Sequence, residues 1–284
     1  MGIKSFFHKI KIGLTRFGGT SIPDISSTKI YGDNGEEFFI DKLERALPPA
    51  EIKRNIIINT SDGNAEIDCL MLYQNKLFAI EVKSWKGVLT ETDKGFTQEK
   101  TDCWTGEIHS KQLKSPFKQL QRAIALLKKE IHSKIWINPI VYFEGDELEG
   151  ISTFSNNTWF SNINDLVSYI KNESKIVCEN TEAQEFFDKC VPADFLYSRR
   201  RKKSLRCIIT SESLNIQTEQ GLATRDNIAV IHIVHHFSYD ELNITMTNNI
   251  HKHAVIENGK ITVNTNGEFA NYSLCKLDYI KIGR

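Results

Sequence analysis

Apolar residues recur at helical spacing near the N-terminus, where Ile3, Phe6, Phe7, Ile10, Leu14 and Phe17 share one side and Lys4, Lys9, Lys11 and Arg16 lie elsewhere around the turn. Residues 3–17 therefore predict an amphipathic helix with a basic polar face, able to dock on its own protein, on a membrane surface or on a partner. A loop rich in Gly, Ser, Pro and Asp follows. Then "NGEEFFIDKLERAL" at 34–47 places Phe38, Ile40, Leu43 and Leu47 for burial on a second helix, stopped by Pro48-Pro49. Next come three strand patterns, at 53–59, 65–73 and 77–85.

The stretch 87–112 carries no sustained apolar period and reads as irregular and polar. "SPFKQLQRAIALLKKEI" is a helix with Ser115 as N-cap and Pro116 in its first turn. A strand at 134–143, a helix from about 164 and a helix in "NTEAQEFFDKC" complete the first part. Beyond the basic run "SRRRKKSLR", short β patterns dominate, punctuated by Asn258-Gly259 and Asn266-Gly267 hairpin signals. The expected organisation is an N-terminal helix and linker at 1–28, an α/β domain at 29–178, a helix and basic linker at 179–206, and a β-rich module at 207–284.

Composition narrows the class without naming a chemistry. With 40% hydrophobic and 25% charged residues, the chain has the makeup of a folded globular protein. Its longest apolar runs fall short of a membrane-spanning helix. Basic and acidic residues balance at 36 each, so any surface for a polyanion has to be local. The six cysteines are scattered without a CxxC pair, and no cleavable signal peptide is read. A cytoplasmic protein is expected, peripheral to the membrane if residues 3–17 bind one.

Chemistry concentrates in the second and third strands. In "AEIDCLMLYQNKLFAIEVKSW" the side chains alternate, so Glu66, Asp68, Leu70 and Leu72 share a face, and so do Ala79, Glu81, Lys83 and Trp85. A two-residue turn at Asn75-Lys76 would pair Leu70 with Glu81 and Asp68 with Lys83, bringing the three charged groups together. An odd-length turn would send Asp68 to the opposite side. Two close carboxylates repel and are costly to bury. A divalent ion such as Mg²⁺ would reconcile them, activating water and offsetting charge on a phosphate while Lys83 adds a positive charge. A solvated cross-strand ion-pair set would satisfy the same spacing.

The surrounding residues resemble the nuclease-related domain, a branch of the PD-(D/E)XK nuclease superfamily, over roughly residues 32–145. The matching pieces are Gly35-Glu36 at a helix start, "EIDCLML", "FAIEVKSWKG", the isolated Trp104, "SPFKQLQRA" and the strand "INPIVYF". The resemblance implies a restriction-endonuclease-like core, a mixed sheet flanked by helices, beside the β-rich C-terminal module. It implies Asp68 and Glu81 as ligands of Mg²⁺ or Mn²⁺, Lys83 as the catalytic lysine, Glu36 as the acid completing the metal site, and Gln119 facing it. The implied activity is hydrolysis of DNA phosphodiesters, in defence against foreign DNA or in DNA processing. A non-cleaving nucleic-acid-binding or partner-sensing protein on the same fold is the alternative. The chain departs from the branch in lacking a proline before Asp68 and in placing Ser84 where an amide residue is usual.

Trp85 and Trp104 are expected to pack at the core or an edge rather than to stack on bases. Arg199, Arg200, Arg201, Lys202 and Lys203 read as a solvated linker or as a strip contacting nucleic-acid phosphates. The histidines of "HIVHH" and "HKH" read as half-buried strand residues, since His232 and His236 share a face with no cysteine nearby to complete a zinc site.

Overall fold

The structure, a computed structural model, describes residues 27–144, 148–149, 158–175, 181–198, 203–236, 238–257, 259–265 and 267–283. Residues 3–17 and 199–202, and with them the amphipathic helix and most of the basic run, lie outside the described residues. The chain divides between Val191 and Pro192 into two compact units.

The first unit is a mixed α/β structure. Its five-stranded sheet runs in the order β1 (Glu51–Thr60), β2 (Gly63–Tyr73), β3 (Lys76–Lys83), β7 (Ile137–Phe143) and β9 (Trp159–Phe160). β1, β2 and β3 are antiparallel neighbours, whereas β3–β7 and β7–β9 are parallel. Both faces are covered, and the strands are accordingly apolar on both sides. On one face Cys69, Met71, Phe78, Ile80 and Val82 pack with Phe39, Ile40 and Leu43 of α1 (Ser27–Ala46) and Leu166 and Ile170 of α3 (Ile163–Glu173). On the other, Leu70, Leu72, Leu77 and Ala79 meet Leu120, Ala123 and Leu127 of α2 (Pro116–Glu130) and Phe186 of α4 (Thr181–Lys189).

Two expectations about these helices resolve differently. Ser115 does cap α2, its hydroxyl accepting from the Lys118 amide, with Pro116 at the start. In α1, however, Phe39 is the buried aromatic, while Phe38 is 56% exposed and lies under the Lys42 ammonium. At 100° per residue, Phe39, Ile40, Leu43 and Leu47 fall within one stripe about 100° wide, and Phe38 falls outside it.

The stretch expected to be irregular is an antiparallel arm. β4 (Gly87–Thr92), β5 (Gly95–Thr101) and β6 (Ile108–Leu113) pair in sequence, and β8 (Leu148–Glu149) adds in parallel beside β4. Along β4, β5 and β6 only Leu89, Phe96 and Gln98 are well buried beyond the turn glycine Gly95, and β6 is exposed almost throughout. Strands with so little buried surface leave no apolar alternation to read.

The second unit is β-rich. An eight-stranded sheet runs β16 (His251–Ile256), β15 (Asp240–Met246), β14 (Ile228–His235), β19 (Tyr279–Lys281), β10 (Asp194–Ser198), β11 (Lys203–Ile209), β17 (Lys260–Thr265) and β18 (Glu268–Ser273), and a small hairpin joins β12 (Asn215–Thr218) to β13 (Gly221–Thr224). The unit takes in residues from Pro192 on, ahead of the 207 expected. The basic run joins two paired strands, with Ser198 opposite Lys203, rather than linking domains. The Gly267 signal does close a hairpin, with Thr265 opposite Glu268. Gly259 instead connects β16 to β17, which pair with other strands. Among the described residues, no helix is long and apolar enough to cross a membrane.

Candidate active site

The hairpin carrying the acids turns at Gln74-Asn75, not at Asn75-Lys76. Both residues have positive φ, 47° and 60°, and Tyr73 pairs with Lys76. Positive φ at both central positions is the mark of the hairpin turns that match strand twist, and asparagine tolerates it well. The register is therefore two residues from the one expected, with Cys69 opposite Ile80 and Leu70 opposite Ala79. A shift of two keeps side-chain parity, so Asp68, Glu81 and Lys83 do share a face. What changes is the neighbour of Asp68, which stands by Glu81 rather than across from Lys83.

The β2–β3 ladder ends at Cys69, and the Asp68 side chain takes over from it. Its Oδ2 accepts from the Val82 amide at 2.8 Å, doing the work of the next backbone carbonyl. On the other side, β1 pairs Arg54 with Cys69 and Ile56 with Ile67, skipping Asn55, which has φ +52°. Asp68 thus sits where both neighbouring strands depart from regular pairing. Asn55 was not singled out from sequence. The available signal was an asparagine ahead of "III" in a strand, since asparagine is among the few residues that enter the left-handed region without a large penalty.

Glu81 is the centre of the site. Its side chain is completely buried, Oε1 accepts from the Lys83 ammonium and from Gln119 Nε2 at 2.7 Å, and Oε2 is buried without a hydrogen-bond partner among the described residues. Burial, then the negative charge of Asp68, push its pKa well above the carboxylate range, with Lys83 opposing and Glu36 adding to the rise. Burial draws the Lys83 pKa down, but Glu81, Asp68 and Glu36 outweigh it and the net direction is up.

Glu36 is brought near by the middle of α1, which begins at Ser27 and not at the Gly35-Glu36 expected to open it; a Cβ on Gly35 would collide there with the Ser84 side chain just past β3. Glycine therefore allows the close helix–strand contact that sets Glu36 within electrostatic reach of Glu81 and Lys83. Gln119 arrives from the first turns of α2. Gly87 has φ +91°, and its missing Cβ leaves room for the Glu99 carbonyl as the arm begins.

The structure thus places Asp68, Glu81, Lys83 and Gln119 together, with Glu36 close by. Among the described residues no three His, Cys, Asp or Glu side chains are grouped as a ready ligand set. Mg²⁺ commonly takes only one or two carboxylates and fills its other positions with water and substrate phosphate. The pair Asp68–Glu81, with an unbonded Oε2, suits that demand.

The two tryptophans differ. Trp85 packs as expected, with ring centroids 6.0 Å from Phe96 and 5.9 Å from Phe143, whereas Trp104 is 92% exposed and packs against neither core nor edge. In the second unit, the His235 ring is 2.8 Å from Asp240, and Glu241 bonds both His236 and His253. His232 lies against Tyr279.

Residues 31–144 match the family model described as the nuclease-related domain, NERD. No curated protein and no solved structure matches the chain.

Proposed function

Starting from the nuclease-related domain that residues 31–144 form, we propose that the protein is a metal-dependent nuclease hydrolysing DNA phosphodiester bonds on a restriction-endonuclease-like core. The observation that carries this reading is Glu81, wholly buried with a free Oε2, between a second carboxylate and a lysine. A purely structural ion pair gains nothing from burying two acids against one base, because the uncompensated charge is expensive.

Asp68 and Glu81, with Glu36 in support, would hold Mg²⁺ or Mn²⁺, which supplies Lewis acidity toward phosphoryl oxygen and lowers the pKa of water. Gln119 fixes one oxygen of Glu81 and leaves the other available. Val82 holds Asp68 in one orientation through its amide. The Lys83 ammonium is kept charged by its acidic neighbours and would stabilise negative charge growing on the phosphate. Arg199, Arg200, Arg201, Lys202 and Lys203 supply a local basic patch for the DNA backbone in this proposal.

Incubating the full chain with supercoiled, linear and single-stranded DNA and with RNA, in Mg²⁺ or Mn²⁺ and in EDTA, tests the proposal. Cleavage of DNA with either metal and none in EDTA is expected. Nucleic acid that is bound but left intact under every condition favours the non-cleaving alternative.

A further inference from the structure

We propose that the β4–β6 arm is a grip for single-stranded nucleic acid, with Lys100, His109 and Lys111 against its phosphates and Trp104 stacked on an unpaired base. The inference rests on the reading of the acid–lysine site as one that acts on nucleic acid, and it names the form of substrate.

The arm is inserted between the elements that build that site. Gly87 follows Lys83 by four positions, and Leu113 returns the chain to the helix that carries Gln119. Register sorts its charges. Phe96 pairs with Leu113, Gln98 with Lys111 and Lys100 with His109, so these six residues share one face, which is also the face that buries Phe96 and Gln98. The other face of β5 and β6 carries Glu99 as its only charged residue, opposite Ser110. Glu91 falls on the first face but opposite Phe96, at the far end from Lys100. Lys100, His109 and Lys111 are exposed and form no ion pair among the described residues. The Lys100 chain passes beside Gly87, where a Cβ would come within 3.2 Å of its Cγ, so glycine leaves this lysine room next to the strand leaving the site.

Trp104 sits in the turn at the end of this basic face. The turn is ordered by its own bonds: the Asp102 carboxylate accepts from the Trp104 and Thr105 amides at 2.8 and 2.9 Å, and Gly106 donates to the Asp102 carbonyl. An indole held outside the core by a fixed backbone, in the turn next to the strand positions of Lys100 and His109, has the chemistry of a stacking platform. Stacking requires an uncovered base face, which a single strand offers and the interior of a duplex does not. That selects single-stranded segments and frayed ends as the occupant.

The test is fluorescence anisotropy in EDTA, where binding is separated from cleavage, using a labelled oligothymidylate and a closed duplex hairpin. Trp104→Ala is expected to weaken single-strand binding about tenfold, as removal of one stacked base does, and to leave duplex binding unchanged. Trp104→Phe should recover much of the loss. Lys100→Glu with Lys111→Glu should weaken both ligands and reduce the salt dependence of single-strand binding by roughly one to two counterions. Equal binding by wild type and all variants overturns the inference, as does an equal loss on both ligands from Trp104→Ala. Loss of anionic-vesicle binding with unchanged oligonucleotide binding would assign the arm to lipid and also overturn it. A chain that grips single strands through the arm but cuts no nucleic acid keeps this inference and sinks the hydrolysis; a chain that cuts DNA with arm variants unaffected does the reverse.

Discussion

Glu81→Gln is expected to make the protein more stable than the wild type above about pH 8 while abolishing cleavage. The folded state raises the Glu81 pKa from 4.5 to about 8, by burial first and then by the charge of Asp68, against the opposing pull of Lys83. The unfolded chain returns it to the ordinary value. Between those two values the folded protein binds a proton that the unfolded chain does not. Stability from Glu81 is therefore full below the unfolded pKa and is lost as pH rises through the folded one. Above it the fold carries an ionised, buried carboxylate, at a cost of a few kcal/mol given about 1.4 kcal/mol per pKa unit. Glutamine cannot ionise, and its amide oxygen can still accept from Gln119. Unfolding midpoints in EDTA should nearly coincide at pH 5 and separate by several degrees at pH 8.5, with the variant higher. A gap independent of pH, or a variant less stable at the higher pH, contradicts this assignment of the buried charge.

A second large effect belongs to the C-terminal unit. Arg225→Ala is expected to destabilise that unit by about 3–5 kcal/mol, because it leaves a buried carboxylate without its cation. Asp194 is fully buried and accepts from Arg225 Nε at 3.1 Å and Nη2 at 3.0 Å, from the Ile209 amide at 2.7 Å and from the Gly283 amide at 2.9 Å. One carboxylate thereby joins β10, β11, the turn after β13 and the C-terminal end of the chain. Burial raises its pKa, with Arg225 and the two amides pulling the other way. No tryptophan falls within the unit, so tryptophan fluorescence has no reporter in it. Hydrogen exchange of the β10 and β11 amides is the suitable readout. Faster exchange across both strands is expected, and unchanged protection factors would mean that the ion pair is not holding them.

Much of the site was legible because strands encode faces by parity. Alternation together with an even-length turn puts Asp68, Glu81 and Lys83 on one face, and a one-residue displacement of the turn, which shifts the register by two, leaves that assignment intact. The partner of Asp68 was not legible. It depends on where the ladder stops, and an amide–carboxylate bond replacing a ladder bond has no periodic signature. Glu36 and Gln119 come from the family pattern rather than from local spacing, since a helical acid and a helical glutamine are common on any surface. Gly35 and Gly87 have no local signature, because each makes room for a group distant in sequence, the Ser84 side chain and the Glu99 carbonyl. The arm was missed for an energetic reason: it buries so little that hydrophobic patterning, the strongest sequence signal, is nearly silent there. Trp104 was misread for the converse reason, that large aromatics usually enter cores, and only the exposed turn on which it sits overrides that tendency.

The central claim is that the acid–lysine cluster performs hydrolysis rather than bracing the sheet. The most direct measurement is the initial rate of DNA cleavage in Mg²⁺ by wild type, Asp68→Asn and Lys83→Ala, each shown to be folded by its far-ultraviolet circular dichroism. Wild-type cleavage with a loss of about 100-fold or more in both variants is the predicted result. Variants that cut as fast as the wild type would contradict it.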